Sequence, residues 1–450
     1  MSWFRDRAVR RVVKYGVPVA LGRVFVSIAG LITLAMLTRH LGVALFGVLA
    51  VIRTLATTVS EYANFNTWQA VIKYGTEAIA DNRKDDVKRV IKLSFVLDAV
   101  TAVIAAIVVA VLAFALRAAF GWDSSESLLC VLYGVTVLTR IGGMPDGVFR
   151  ICDAYRAQAI AAAVSALALT GAVAIAVLLD ASFAGCVLAL VIGEVFGNLL
   201  PLVVANRVAK ENGYGGWLAA PLAGSTTVFP GIRRFLIATN GQVTLKKTQA
   251  DVDTFVIGAM LGKVPSGLFR VVKQLGTIPG RVFMPFEQVL FTELARAAAE
   301  HQYAAFRRLL LRLSLIVGAG SLLIWAVAAV AAEPAIRIIA GDDYIGAAPA
   351  FRWYLLGMVL NVMNTPVQRA IVALGRPGTL FWFDLATTGL LIGGAILGAH
   401  EGGLVGVAIA IVGYKIIQTS WSTWLVARIS LQRQREHEAA PPPPAPPGSA

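Results

Sequence analysis

The chain has 450 residues, 57% of them hydrophobic and 15% charged, with a mean hydropathy of +0.72 and a formal net charge of +14. A soluble domain cannot cover that much apolar surface, so the composition excludes a soluble globular protein and points to an all-α polytopic membrane protein. The positive excess sits in short segments beside apolar blocks. It is therefore assigned to membrane topology and not to a nucleic-acid partner.

In chain order, residues 1–16 carry Arg5, Arg7, Arg10, Arg11 and Lys14 and read as a basic, amphipathic, cytoplasmic N-terminus. No small-residue cleavage site follows, so the first apolar block is expected to stay as a helix. At about 20 residues per crossing, the apolar blocks divide into about twelve transmembrane helices. They are 17–38, 43–65, 93–116, 127–148, 158–179, 183–205, 235–261, 267–290, 309–331, 351–374, 381–399 and 404–427. The Gly-rich, basic stretch 206–234 reads as a cytoplasmic linker between six-helix bundles at 17–205 and 235–427. Residues 428–450 form a cytoplasmic tail ending in Pro441-Pro442-Pro443-Pro444-Ala445-Pro446-Pro447, expected to be disordered.

With the N-terminus in the cytoplasm, the segments on that side hold twenty-five Lys and Arg and the outer segments five. Such a bias over short loops places both termini inside. The halves also repeat at an offset of 220 residues: Leu41-Gly42, Gly47, Val51 and Leu55 align with Leu261-Gly262, Gly267, Val271 and Leu275. Arg53 then falls on Lys273, Ile151 on Ile371 and Arg156 on Arg376. An even number of helices per unit gives two halves of the same orientation, related by a pseudo-two-fold axis along the membrane normal.

Among the basic residues that fall where the pattern places membrane, eight stand out: Arg23, Arg53, Arg140, Lys246, Lys247, Arg270, Lys273 and Arg281. A charge at mid-bilayer costs roughly 2.5–3.5 kcal/mol on insertion scales, so these side chains should face a wet cavity or the bundle interior. Eight of one sign suggest a cavity for an anion. The most polar stretch, Asn240 to Asp253, cannot face lipid; within it Lys247 and Asp251 can pair on one helix face. Lys246 and Asp253 share a face without touching. This helix reads either as a cavity wall contacting cargo or coupling ion, or as a buried network locking the halves together.

Arg270 and Lys273 project from one face of the next helix as candidate phosphate ligands, with Pro279-Gly280 as a hinge. The alternative for Arg270 is snorkelling to the surface. Arg140 has Asp146 within reach as a structural ion-pair partner. Asp98 and Glu194 are single acids in apolar helices, and with Asp251 and Asp253 they are the candidate coupling or structural acids. Asn64, Asn66, Trp68, Asn361 and Asn364 are candidates for sugar recognition. Cys130, Cys152, Cys186 and the four histidines show no disulfide or metal spacing. No nucleophile elbow or Walker loop is present. Neither catalytic residues nor a metal or cofactor is therefore expected, and the chain does not read as an enzyme.

Arg39-His40-Leu41-Gly42 with Phe46-Gly47 resembles the R-x-L-G-x-x-x-F/Y-G signature of the polysaccharide biosynthesis flippases. These belong to the multidrug/oligosaccharidyl-lipid/polysaccharide (MOP) exporter superfamily. Asp253-Thr254-Phe255-Val256-Ile257-Gly258, Leu261-Gly262 and Gly267-Leu268-Phe269 are similar to that family's D-x-h-h-I-G…G…G-h-Y segment, and Leu374-Gly375-Arg376 also fits. Phe269 stands where the family often has Tyr, and His40 lies inside the first signature.

The resemblance implies a V of two six-helix bundles in the bacterial inner membrane, working by alternating access. Its cargo would be a polyprenyl-diphosphate-linked oligosaccharide for O-antigen (lipopolysaccharide), capsule or exopolysaccharide synthesis. Its partners would be membrane lipids, a polysaccharide polymerase and glycosyltransferases. Competing readings are a multidrug/cation antiporter, against which the basic excess argues, and a lipid II flippase, which typically carries two further C-terminal helices. A third is a membrane-bound polymerase or ligase, for which the outer loop 332–350 is short.

Overall fold

The computed structural model describes residues 7–277, 280, 303–374 and 376–439, with side chains at all of these except 7–21, 23, 238, 242, 305, 313, 373, 377 and 436–439. The described residues are mainly helical and include no strand. The helices are α1 (Arg7–Ala63), α2 (Trp68–Ala80), α3 (Lys84–Ala115), α4 (Ser124–Leu138), α5 (Gly143–Ile151), α6 (Tyr155–Leu178) and α7 (Phe183–Glu211). They continue as α8 (Ser225–Val228), α9 (Ile232–Met260), α10 (Lys263–Gly276), α11 (Tyr303–Val330), α12 (Ala332–Ala340), α13 (Ala348–Ala373) and α14 (Pro377–Ala439).

Among the described residues eight helical stretches are long and apolar enough to cross a membrane. Two of them, Val24–Ala80 and Gly378–Arg435, have the length for two crossings each. α1 breaks at Gly42 (φ 71°) and α14 at Gly403 (φ 54°), a backbone conformation open to glycine. α9, at 29 residues, has the length of a crossing but carries the polar run from Asn240 to Asp253.

Outward and inward faces follow membrane logic. On α3 the buried positions include Ser94, Asp98, Thr101, Ala102, Ala105 and Ala113, while Val103, Ile104, Ile107 and Val111 are exposed. Small and polar groups pack between helices and large apolar ones face outward, where lipid is the solvent.

Two compact units form. One comprises the described parts of Met1–Gln274, Glu333–Ala348 and Ala399–Leu404; the other those of Leu275–Ala332, Pro349–Gly398 and Val405–Ala450. The first unit therefore includes α9 and α10, which lie beyond the linker.

Inside the first unit the 220-residue repeat becomes visible in the backbone. Gly42 and Gly262 both have positive φ (71° and 88°), as do Gly121 and Gly341 (61° and 104°). A Cβ on Gly47 would lie 1.8 Å from the Lys263 carbonyl oxygen, and one on Gly267 would lie 2.2 Å from that of Val43. Val43 and Lys263 are themselves one repeat apart, so the contact between α1 and α10 is reciprocal, as a two-fold requires.

The expected helix at 127–148 is broken. α4 ends at Leu138 and α5 begins at Gly143, with Arg140 in the gap. The cause is local: Gly142-Gly143 weakens the helix, and the Asp98 carboxylate accepts from Gly143 N (2.7 Å), capping a new helix start. Gly143 has no alternative there, because a Cβ would lie 1.8 Å from Thr67 Oγ1.

The linker is ordered around buried Trp217, whose Nε1 donates to Asn206 Oδ1 (2.9 Å). In the second unit Phe306, Val367, Ile371, Leu374 and Val426 form a core. α14 runs on to Ala439, where Gln434 accepts from Arg307 Nη2 (2.6 Å); residues 428–439, assigned to a tail by sequence, are helical. The proline run from Pro441 lies outside the described residues.

Candidate functional site

Side chains from α1, α4 and the gap after α4 meet Glu194 of α7 in the first unit. α7 is brought close to α6 by Gly193 and Gly197: a Cβ on Gly193 would sit 2.8 Å from Leu169 Cα, and one on Gly197 3.4 Å from Ser165 Cβ. This is the small-xxx-small approach of membrane helices. Pro201, inside α7, has no N–H for the Gly197 carbonyl, and Ser165 Oγ donates to that oxygen instead (3.1 Å). Glu194 is thereby fixed on the inner face of α7.

Arg53 lies eleven residues past the Gly42 break, about 16 Å along the helix, near half the roughly 30 Å hydrocarbon thickness. Its Nη2 donates to Glu194 Oε1 (2.7 Å) and its Nε to the Tyr133 hydroxyl (3.1 Å). Tyr133 in turn donates to Glu194 Oε1. Arg140, in the gap after α4, reaches Glu194 Oε2 through Nη2 (3.3 Å). Asp146, its expected partner, instead accepts from Gln158 Nε2 (2.9 Å).

Beside this cluster lies a cavity of about 450 Å³ lined by Arg53, Arg140, Glu194 and Arg270. Gln274, Asn198, Thr33 and Thr170 add hydrogen-bonding groups. Arg270 makes no hydrogen bond or ion pair among the described residues. Among the described residues three guanidinium groups thus line the cavity with one carboxylate. Insertion of an unpaired cation at mid-bilayer costs roughly 2.5–3.5 kcal/mol, and a cavity of this size leaves room for water beside the guanidinium groups.

Lys273 turns away from Arg270, although the two stand three residues apart. Its Nζ reaches Asp251 Oδ1 (3.1 Å), Asp253 Oδ1 (2.8 Å) and Thr254 Oγ1 (3.0 Å) on α9. Lys247 pairs with Asp251 Oδ2 (3.1 Å) and with Glu61 Oε1 (3.1 Å), and Thr58 donates to Asp251 (2.7 Å). Two lysines meet three carboxylates, so this second cluster has no cationic surplus. Arg53 and Lys273, which are repeat-related, each carry acidic partners, but on different helices.

Lys246 is exposed on α9. Asp98 is buried, accepting from Thr67 Oγ1 (2.7 Å) and Gly143 N (2.7 Å). Arg23 lies in α1 with its side chain outside the described set; Pro279 and Arg281 lie outside the described residues, and Gly280 is helical between them. Of the sugar-recognition candidates, Asn64 accepts from Asn66 N in a turn, Trp68 lies under Arg150, and Asn361 accepts from Lys415. Tyr133 is not singled out by composition or charge; its signal is its place seven residues before Arg140 within the expected helix 127–148. Gln274, one turn after Arg270, is legible in the same way.

The profile of the family described as "Polysaccharide biosynthesis protein" matches residues 36–349. The chain belongs to that family. The chain is 25% identical over 270 residues to "Inner membrane protein YghQ" of Escherichia coli (strain K12), across 60% of this chain and 76% of that one. Among solved structures it is similar to an inward-facing multidrug resistance MATE family transporter of the MOP superfamily. The TM-score is 0.69 at 12% identity, covering 94% of this chain and 100% of that one. Lipid II flippase MurJ in an inward closed conformation gives 0.67 at 14% identity, covering 93% and 90%. A mutant of the Vibrio cholerae MATE transporter VcmN gives 0.62 at 15%, covering 94% and 97%. At such identities the likeness carries the fold: this is a multi-pass membrane protein with the MOP fold.

Proposed function

We propose that this protein is a flippase. It moves a polyprenyl-diphosphate-linked oligosaccharide from the inner to the outer leaflet of the bacterial cytoplasmic membrane, for O-antigen, capsule or exopolysaccharide assembly, without chemically altering it. The observation that carries this reading is the first-unit cavity with Arg53, Arg140 and Arg270 against the single carboxylate of Glu194. A diphosphate needs cations and hydrogen-bond donors, and arginine presents both in a planar fork. The cavity falls in the range of about 300–1,000 Å³ usual for small-ligand sites, which suits a head group while the prenyl chain stays in lipid. A multidrug cation would meet the wrong sign of charge there.

In this reading both termini are cytoplasmic and the halves 17–205 and 235–427, joined through 206–234, alternate access around the head group. An interior-negative potential favours outward movement of an anion by about 2.3 kcal/mol per charge per 100 mV. Polymerase and glycosyltransferases would act on either side of the transport step. The test is deletion of the gene followed by complementation. Lipid-linked glycan should accumulate in the inner leaflet, the wild type should clear it, and an inserted Arg270→Ala protein should not. Full complementation by Arg270→Ala, or no accumulation but sensitivity to cationic drugs, overturns the proposal.

A further inference from the structure

Glu194 sits where an anionic head group would have to bind. Its two oxygens contact two different arginines, Arg53 through Oε1 (2.7 Å) and Arg140 through Oε2 (3.3 Å), and the Tyr133 hydroxyl donates to Oε1. That is a trigonal oxyanion held by guanidinium and hydroxyl donors, the set a phosphate group would take. The side chain is 9% exposed, and it lines the cavity together with both arginines.

The clasp does not use the full capacity of its donors. Arg53 and Arg140 each meet Glu194 through a single Nη, short of the two-pronged contact available to an arginine–carboxylate pair. Arg140 Nε is buried without a hydrogen-bond partner. Arg270, in the same cavity, has no hydrogen bond or ion pair among the described residues. A purely structural ion pair gains from satisfying its donors, since a buried unsatisfied donor is costly. Here unsatisfied donor capacity remains beside an open volume.

We infer that Glu194 is a resident counter-anion: it occupies the phosphate position in the empty carrier and is displaced by the diphosphate of the cargo. One phosphate takes over Arg53 and Arg140, with Arg140 Nε available to it, and the second reaches Arg270. The carboxylate keeps the empty cavity from holding three uncompensated cations. It also sets a threshold, because a small monoanion competes poorly with a tethered carboxylate while a polyphosphate brings more charge and more acceptor oxygens. Tyr133 tunes that threshold by holding Glu194 Oε1 while accepting from Arg53 Nε (3.1 Å). The inference rests on the reading of this cavity as the anion site and adds the residue that competes for it.

The experiment is isothermal titration of inorganic pyrophosphate into the purified full-length protein in nanodiscs, at low ionic strength, for the wild type, Glu194→Gln, Tyr133→Phe and Arg270→Ala. Glu194→Gln keeps the shape and an acceptor for Arg53 but removes the competing charge. Its pyrophosphate Kd should fall about tenfold or more, and that for orthophosphate should fall too, narrowing the preference between them. Tyr133→Phe should tighten binding by a smaller factor, and Arg270→Ala should weaken it. Circular dichroism melting of each variant separates binding from folding. If pyrophosphate binds the wild type and is lost in Arg270→Ala, but a folded Glu194→Gln binds no tighter, Glu194 is a structural clamp; this inference falls and the anion cavity stands. If neither the wild type nor a folded Glu194→Gln binds pyrophosphate, both fall.

Discussion

The reciprocal contact at Gly47 and Gly267 makes a quantitative prediction. In Gly47→Ala the new Cβ would lie 1.8 Å from the Lys263 carbonyl oxygen and 2.9 Å from Gly267 N. Carbon–oxygen contacts across helix interfaces settle near 3.3 Å or a little more, so α1 and α10 must part by about 1.5 Å at this point. Overpacking costs about 1–3 kcal/mol. The upper end applies, because the obstructing atoms are backbone and cannot rotate away. Gly267→Ala, 2.2 Å from the Val43 carbonyl oxygen, should cost a similar amount. One separation relieves both clashes, so the double variant should lose at least about 1 kcal/mol less than the sum. Gly171→Ala, whose Cβ would meet nothing within 4 Å, is the control and should gain up to about 1 kcal/mol from helix propensity. The assay is equilibrium unfolding in mixed SDS micelles, followed by helicity. Wild-type unfolding by Gly47→Ala, or strict additivity in the double variant, would refute the reciprocal crossing.

Lys273→Ala leaves Asp253 without its lysine and Asp251 with one of two, so it should cost about 3–5 kcal/mol as an uncompensated buried pair, with Lys273→Arg retaining most of it. Unchanged unfolding of Lys273→Ala would move this residue from the structural network to the cavity. Asp98→Ala strips an acceptor from both Gly143 N and Thr67 Oγ1, at about 1–3 kcal/mol for each buried group left bare; Asp98→Asn should lose less, and equal losses would contradict the capping role. Outside the spans, burial and neighbouring Asp153 push the Cys152 thiol up to about 11. The thiolate is the nucleophile, so alkylation should be slow at pH 7 and rise about tenfold per pH unit through pH 9; a plateau below pH 9 would contradict that environment.

Helix spans among the described residues were legible in the sequence because about 20 apolar residues are needed per crossing; 127–148 is broken, and of the expected helix 267–290 the stretch 278–290, apart from Gly280, lies outside the described residues. The repeat was legible because glycine is required both where φ turns positive, at Gly42 and Gly262, and where backbones touch, at Gly47 and Gly267. The break before α5 was hidden: it depends on Asp98, a residue far away in sequence, capping Gly143. Pairing within one helix could be anticipated, as for Lys247 and Asp251 (3.1 Å). Pairing between helices could not, because spacing along one helix carries no information about the facing helix. Arg270 and Lys273 illustrate the limit. Spacing puts them on one face, yet the acids of α9 draw the lysine away and leave the arginine to the cavity. Glu194 stood out as a lone acid, but its two arginines come from α1 and from the gap after α4.

In the proposed function the arginines of the first-unit cavity carry a phosphate-bearing lipid head across the membrane. Reconstituted vesicles containing a fluorescent polyprenyl-diphosphate saccharide would measure this most directly, with outer-leaflet arrival read by a membrane-impermeant quencher. Wild-type protein should accelerate crossing, and the inserted, folded double variant Arg53→Ala/Arg270→Ala should leave it at the protein-free rate. Equal crossing by the two proteins would contradict the account.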